Sequence, residues 1–196
     1  MKDSVLVFGG TFDPIHVAHL VVAEEAADQL GVGRVVFIPA ASPPHKSRAV
    51  TESGHRAAML EAAIETNDRF TWDACEIERG GVSFTVDTLR ELGSRWGLDS
   101  RELFCLVGGD SLVAFRTWRE PDTILTLATL AVAGRPGFDD RSIDRSLQGH
   151  VHYLETTPLA ISSTEIRRRA AEGRSIRYLV TDPVRDYIER QGLYHG

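Results

Sequence analysis

Cysteine is scarce in this chain. Cys75 and Cys105 are the only two among 196 residues, too few for a disulfide framework. Both fall in apolar runs that read as strands, so buried free thiols in a reducing compartment are expected. No apolar run approaches the ~20 residues that would span a bilayer. The first strand-like run begins by Ser4, which leaves no room for a signal peptide. A soluble cytoplasmic protein with no membrane partner is the expectation. Basic charge is also short, with 22 Lys and Arg against 28 Asp and Glu and a net charge of −6. That excludes a whole-molecule footprint for nucleic acid. Any polyanionic ligand must be drawn by local cationic clusters against the overall field. Internal repeats, low-complexity runs and interdomain linkers are absent. What remains is 42% hydrophobic and 26% charged, which suits one globular domain.

Two common phosphate-binding signatures are missing as well: no Gly-Lys-Ser/Thr follows a glycine loop, and Gly-x-Gly-x-x-Gly does not occur. In their place, near the start, stands Gly9-Gly10-Thr11-Phe12-Asp13-Pro14-Ile15-His16-Val17-Ala18-His19. The apolar run Ser4–Phe8 before it reads as a strand. The run from Leu20 to Leu30 after it reads as a helix stopped at Gly31. The stretch is therefore a strand-to-helix turn. Its glycines permit close ligand approach and positive φ, and the helix start offers unpaired N–H groups to a phosphate. His16 and His19 are three apart and share one helix face. A metal site using His16, His19 and His45 finds no convergent carboxylate or cysteine to complete it.

Arg34–Ala40 reads as a second strand, which makes a βαβ unit with a right-handed crossover. The loop Ser42–Arg48 follows it and carries a cationic cluster of His45, Lys46 and Arg48. A helix is expected over His55–Thr66, a strand over Phe70–Glu78, and a helix from Ser83 to Trp96 with a Ser or Thr as its cap. Leu103–Val107 is the clearest central strand. Gly108-Gly109-Asp110 then repeats the strand, glycine pair and helix start of the first motif, and this helix is expected to run to Trp118-Arg119. Asp110 suits either a helix cap or a ribose acceptor. Trp118 is a core residue or a stacking surface. Strands follow at Thr129–Gly134 and His150–Glu155, with Phe138–Gly149 unassigned. Ser162 and Glu165 make a capping-box pattern. Arg167, Arg168 and Arg169 then crowd the end of a helix where the dipole disfavours cations, a conflict that a bound anion would relieve. A last helix spans Asp182–Arg190, with Asp182 as cap. The order of elements predicts an α/β fold, a Rossmann-like doubly wound, mostly parallel sheet with a small C-terminal helical lobe over about residues 162–196.

The words Gly9 to His19 resemble the signature of the nucleotidylyltransferase superfamily, whose usual form is His-x-Gly-His; Ala18 stands at the glycine. Over Ser4 to Tyr194 the chain resembles, more narrowly, the nicotinate-nucleotide adenylyltransferases. Pro43-Pro44-His45-Lys46, Gly108 to Leu112 with Thr117-Trp118, and Ile161 to Arg167 carry this along with the first motif. Ser83-Phe84-Thr85 through Thr88-Leu89, with Thr117-Trp118, and the closing Tyr178-Leu179 through Gly192-Leu193-Tyr194 resemble the same branch. The resemblance implies one nucleotidylyltransferase domain over residues 1–196. It implies transfer of the adenylyl group of ATP to nicotinate mononucleotide, with Mg2+ accompanying ATP, to give deamido-NAD and pyrophosphate. By the same resemblance His16, His19 and Arg167 would be catalytic. Gly9, Gly10, Thr11, Phe12, Gly108, Asp110, Ser163 and Thr164 would join them in holding ATP. Lys46, Thr85 and Trp118 would hold nicotinate mononucleotide. No metal ligand of the protein's own is expected. The alternatives are a sister enzyme acting on nicotinamide mononucleotide or another phosphate acceptor, and a nucleotide-binding regulator without catalysis. Arg119 stands where relatives also carry an aromatic residue. The number of copies in the assembly is left open, a homo-oligomer included.

Overall fold

The computed structural model describes residues 4–42, 50–134, 147 and 149–195. Among them are six strands, β1 (Val5–Gly10), β2 (Arg34–Pro39), β3 (Phe70–Trp72), β4 (Leu103–Gly108), β5 (Thr129–Ala133) and β6 (Val151–Leu154). The helices are α1 (Val17–Leu30), α2 (Ser53–Ile64), α3 (Cys75–Arg79), α4 (Thr85–Trp96), α5 (Gly109–Val113), α6 (Pro121–Leu127), α7 (Ser163–Ala171) and α8 (Asp182–Gln191). The strands form one sheet in the order β3-β2-β1-β4-β5-β6, and every pairing is parallel. This is the doubly wound order. The direction of winding reverses between β1 and β4, and in such sheets ligands sit at the carboxyl ends of the strands at that reversal. The two glycine pairs, Gly9-Gly10 and Gly108-Gly109, end those two strands.

Strand alternation builds the layers. Leu6 of β1, Val35 and Phe37 of β2, and Phe104 and Leu106 of β4 point to one face, where α1, α2, α7 and α8 supply Ala23, Leu60, Ile166 and Val184. Val5 and Val7, Val36 and Ile38, Cys105 and Val107 point to the other, against Val86 and Leu89 of α4 and Ile124 of α6. A period of two with both faces covered is what a parallel sheet requires. The apolar residues of the C-terminal lobe join the first of these clusters. Cys75 and Cys105 are buried free thiols, and burial pushes both up to about 12.

Four local expectations are corrected. The strand from Phe70 stops at Trp72, because Asp73 turns the chain: its carboxylate accepts the Cys75 N–H at 2.9 Å, and α3 begins there. Glu76 on α3 stays buried because the Thr88 hydroxyl donates to it at 2.7 Å. The helix after Gly109 ends at Val113, and a 3-10 turn covers Phe115–Thr117. A further helix, α6, not among those expected, then starts with Pro121 in its first turn and Asp122 beside it, both suited to a helix N-terminus. Helix caps also differ. Phe84, with no side-chain bond, caps α4, and Thr181 rather than Asp182 caps α8.

Candidate active site

The first motif folds as a turn around one aromatic side chain. Phe12 carries the left-handed conformation, with φ +48, and its ring is buried. The ring packs at 5.5 Å from Phe8, 5.7 Å from Phe37 and 5.2 Å from His19. A Cβ on Gly10 would meet that ring at 2.8 Å, so Gly10 is required by packing. A Cβ on Gly9 would meet nothing within 4 Å, so the open side of the turn lies there. Neither glycine has a positive φ, contrary to expectation. Ala18 sits inside α1 without positive φ, so the substitution for glycine brings no backbone strain.

His16 is the N-cap of α1. Its ring stacks on that of His19 at 3.6 Å with 18° between the planes. The His16 backbone N–H donates to Nδ1 of His19 at 3.2 Å. An accepting Nδ1 carries no proton, so the neutral His19 ring holds its proton on Nε2. Burial pulls His16 down to about 4, so both rings can stand neutral together at pH 7. Nδ1 of His16 is buried with no hydrogen-bond partner among the described residues. The expected open helix start is partly filled: the Val17 N–H donates to the Leu179 carbonyl at 3.0 Å, and the His19 N–H to the His16 carbonyl at 2.9 Å. The imidazoles, more than the α1 backbone, are what the turn offers an anion.

The second motif is brought directly onto the first. Ser163 Oγ donates to the Pro14 carbonyl at 2.9 Å, across 149 sequence positions. Arg167 Nη1 donates to the Asp13 carbonyl at 2.5 Å, and Nη2 to Thr164 Oγ1 at 3.1 Å. Ser162 caps α7 by accepting the Glu165 N–H at 3.2 Å. Glu165 itself pairs with Arg168 at 2.8 Å and Arg169 at 2.9 Å. The arginine conflict at the start of α7 is thereby divided. Arg168 and Arg169 are matched by carboxylates on their own helix, and Arg167 turns inward, its side chain 14% exposed.

The third group lies beyond β4. Gly108 is exposed, with nothing within 4 Å of a Cβ placed on it. Asp110 stands exposed in the first turn of α5, whose cap makes no side-chain bond. Trp118 follows the 3-10 turn and packs at 5.5 Å from Phe115. Its neighbour Arg119 lies over the Phe84 ring at 4.8 Å and within 3.6 Å of Asp87. The segment carrying Trp118 is thus laid against the N-terminal end of α4, where Thr85 is the first helical residue. Ser83, just ahead, has a buried hydroxyl without a partner among the described residues, where a Ser or Thr was expected to cap the helix. Lys46 and the Pro43-Pro44-His45-Lys46 motif lie outside the described residues.

Sequence reading missed Arg56. It lies on α2 with 1% exposure and donates to four backbone carbonyls beneath the turn. It also missed Tyr194 as a partner of the turn, whose hydroxyl donates to Asp13 Oδ1 at 2.8 Å. A single arginine among alanines on a helix gives no sign of burial.

Two strand-turn-helix units at the reversal of a doubly wound sheet, with paired imidazoles on a turn that is bonded to a serine-threonine-arginine helix start, define a nucleotidyltransferase. The family model described as cytidylyltransferase-like matches residues 7–169. A probable nicotinate-nucleotide adenylyltransferase of Desulfitobacterium hafniense is 42% identical over 96% of this chain and 94% of its own length. One of Thermomicrobium roseum is 43% identical over 96% of this chain and 90% of its own. The chain belongs to the nicotinate-nucleotide adenylyltransferase family. Its fold matches that of the Plasmodium falciparum nicotinic acid mononucleotide adenylyltransferase complexed with NaAD. There the TM-score is 0.80 at 20% identity, covering 99% of this chain and 98% of that one. No described helix is long and apolar enough to cross a membrane.

Proposed function

We propose that this chain transfers the adenylyl group of ATP to nicotinate mononucleotide, releasing pyrophosphate and forming the deamido form of NAD. The observation that carries this reading is the direct bonding of α7 to the Gly9–His19 turn through Ser163 and Arg167. It joins the turn that carries the two imidazoles to the helix start that carries two hydroxyls and one inward guanidinium, a set that suits a single polyphosphate.

The 5′-phosphate of the mononucleotide is ionised at neutral pH and attacks the α-phosphorus of ATP. The new phosphoanhydride bond forms as the bond to the β-phosphate oxygen breaks, and pyrophosphate leaves. No strong base and no covalent intermediate are needed. Positioning and neutralisation of charge on the transferring group are sufficient. His16 and His19 donate from neutral rings to the α- and β-phosphate oxygens. Ser163, Thr164 and Arg167 hold the β- and γ-phosphates. Gly9, with open space above it, lets the nucleotide approach the backbone, and Asp110 accepts from a ribose hydroxyl. Trp118 stacks on the pyridine ring, and the uncapped N–H groups at Thr85 bind the nicotinate carboxylate. An amide there would set a donor against donors. Lys46 would meet the mononucleotide phosphate. Among the described residues no three potential ligand side chains gather into a metal cage. Magnesium enters as part of the ATP substrate, held by its phosphates, as this ion commonly is.

The reading is tested by following pyrophosphate release with ATP and magnesium, with nicotinate and nicotinamide mononucleotides in parallel and His19→Ala as control. Turnover of the nicotinate form that is lost in the control supports it. Preference for the nicotinamide form would refute the roles given to Thr85 and Trp118, and no turnover with either acceptor would refute the reaction.

A further inference from the structure

We propose that Arg56 is a positioning residue for adenylyl transfer: from beneath the sheet edge it fixes the Thr11–Pro14 turn in the place that ATP binding requires. The proposal rests on the reading of that edge as the ATP site. Arg56 donates through Nη1 to the Thr11 carbonyl at 2.7 Å, and through Nη2 to Ala40 at 2.6 Å and Ala41 at 3.2 Å. Nε donates to Thr51 at 2.9 Å. These carbonyls come from three separate segments: the turn after β1, the end of β2, and the approach to α2. One planar guanidinium holds all three in register, which no lysine can do. The charge is buried at 1% exposure. Burying a cation costs several kcal/mol unless its surroundings compensate. Compensation comes from the four carbonyls and from the nearby buried carboxylate of Asp13.

Among the described residues, four side-chain bonds fasten the turn. Arg56 takes Thr11 O, Arg167 takes Asp13 O, Ser163 takes Pro14 O, and Tyr194 bonds Asp13 Oδ1. Two of these fasteners are also the proposed phosphate ligands. A serine hydroxyl has one proton to donate, so Ser163 gives up Pro14 when it takes a phosphate, and Arg167 must share its donors. With ATP bound, Arg56 and Tyr194 keep their bonds to the turn. The trans peptide after Thr11 adds direction. With its carbonyl turned down to Arg56, the Phe12 N–H points the opposite way, out of the core.

The test compares wild type with Arg56→Lys and Arg56→Ala, each measured at a temperature where circular dichroism shows it folded. The affinity of a non-hydrolysable ATP analogue is read by calorimetry beside kcat and KM. Arg56→Lys is expected to raise KM for ATP and weaken the analogue by ~10-fold or more, and to lower kcat by ~10- to 100-fold, the scale of an ångström's misplacement. Added guanidinium is expected to restore Arg56→Ala in part, and methylammonium at equal concentration is not. Wild-type kcat and KM in folded Arg56→Lys would overturn the proposal. Failure of Arg56→Lys to fold, or rescue by both cations alike, would assign Arg56 to stability alone and overturn it too. A wild-type chain without turnover would refute the reaction, and the analogue affinities would still decide the role of Arg56.

Discussion

His16 makes stability depend on pH in a way that can be calculated. Its value falls from 6.5 to about 4 through burial, so between those values the unfolded chain binds a proton that the folded chain refuses. Stability from this group is complete above the unfolded value and is lost as pH falls towards the folded one. The full loss is about 3 kcal/mol. Between about pH 7.5 and about pH 5, linkage gives a loss of about 2 kcal/mol. Many carboxylates also titrate in acid, so the measurement is a difference. His16→Asn keeps a good N-cap at the start of α1 and removes the imidazole. Urea unfolding of both proteins at the two pH values should show wild type losing about 2 kcal/mol more than the variant on acidification. A histidine proton resonance titrating near 4 would accompany it. A difference that stays constant within about 0.5 kcal/mol would mean that His16 is not held neutral by burial, and the pairing of two neutral imidazoles would fall with it.

The two glycines of the turn should respond oppositely to alanine. Gly10→Ala sets a methyl 2.8 Å from the Phe12 ring and should cost roughly 1–3 kcal/mol in denaturant unfolding. Gly9→Ala meets nothing within 4 Å and should unfold like wild type while raising KM for ATP. Arg167→Lys should lower kcat/KM by ~10²–10³-fold if the guanidinium stabilises the transferring charge, and steady-state kinetics at saturating acceptor reads this directly. Trp118→Ala should weaken nicotinate mononucleotide by about 1–3 kcal/mol, the worth of one stacked ring, with KM for ATP unmoved. A shift in KM for ATP alone would displace the acceptor from that side of the reversal.

Much of the architecture was readable because parallel strands are continuous apolar runs and the glycines fall at their ends. Ser4–Phe8, Arg34–Ala40 and Leu103–Val107 announce β1, β2 and β4, and the helices after β1 and β2 follow from spacing, whereas the one after β4 is shorter than its spacing suggested. The residues from Phe70 to Glu78 alternate like a strand, but Asp73 turns the chain by accepting the Cys75 N–H, and Glu76 is buried through its bond to Thr88, a tertiary contact that the chain does not signal. The candidate site was legible where it is contiguous, as in Gly9–His19 and Ser162–Arg167. The meeting of these two was an inference from topology, and it appears as the bonds of Ser163 and Arg167 to Pro14 and Asp13. What holds the turn from below was not legible. Arg56 and Tyr194 act through backbone carbonyls and one buried carboxylate, and neither partner leaves a pattern in the chain. The glycine pair was legible as a turn, but the left-handed residue is Phe12, chosen by the packing of its ring against Phe37 and His19.

The central claim, adenylyl transfer at the junction of the two motifs, is tested most directly by following the α-phosphate. With ATP labelled at the α-position and nicotinate mononucleotide as acceptor, the account predicts that all label leaves ATP in the dinucleotide product, with none on the protein. The γ-label should appear in pyrophosphate, and Arg167→Lys should slow both together. Label recovered as free AMP, or carried on the protein, would contradict direct attack of the acceptor phosphate and the account built on it.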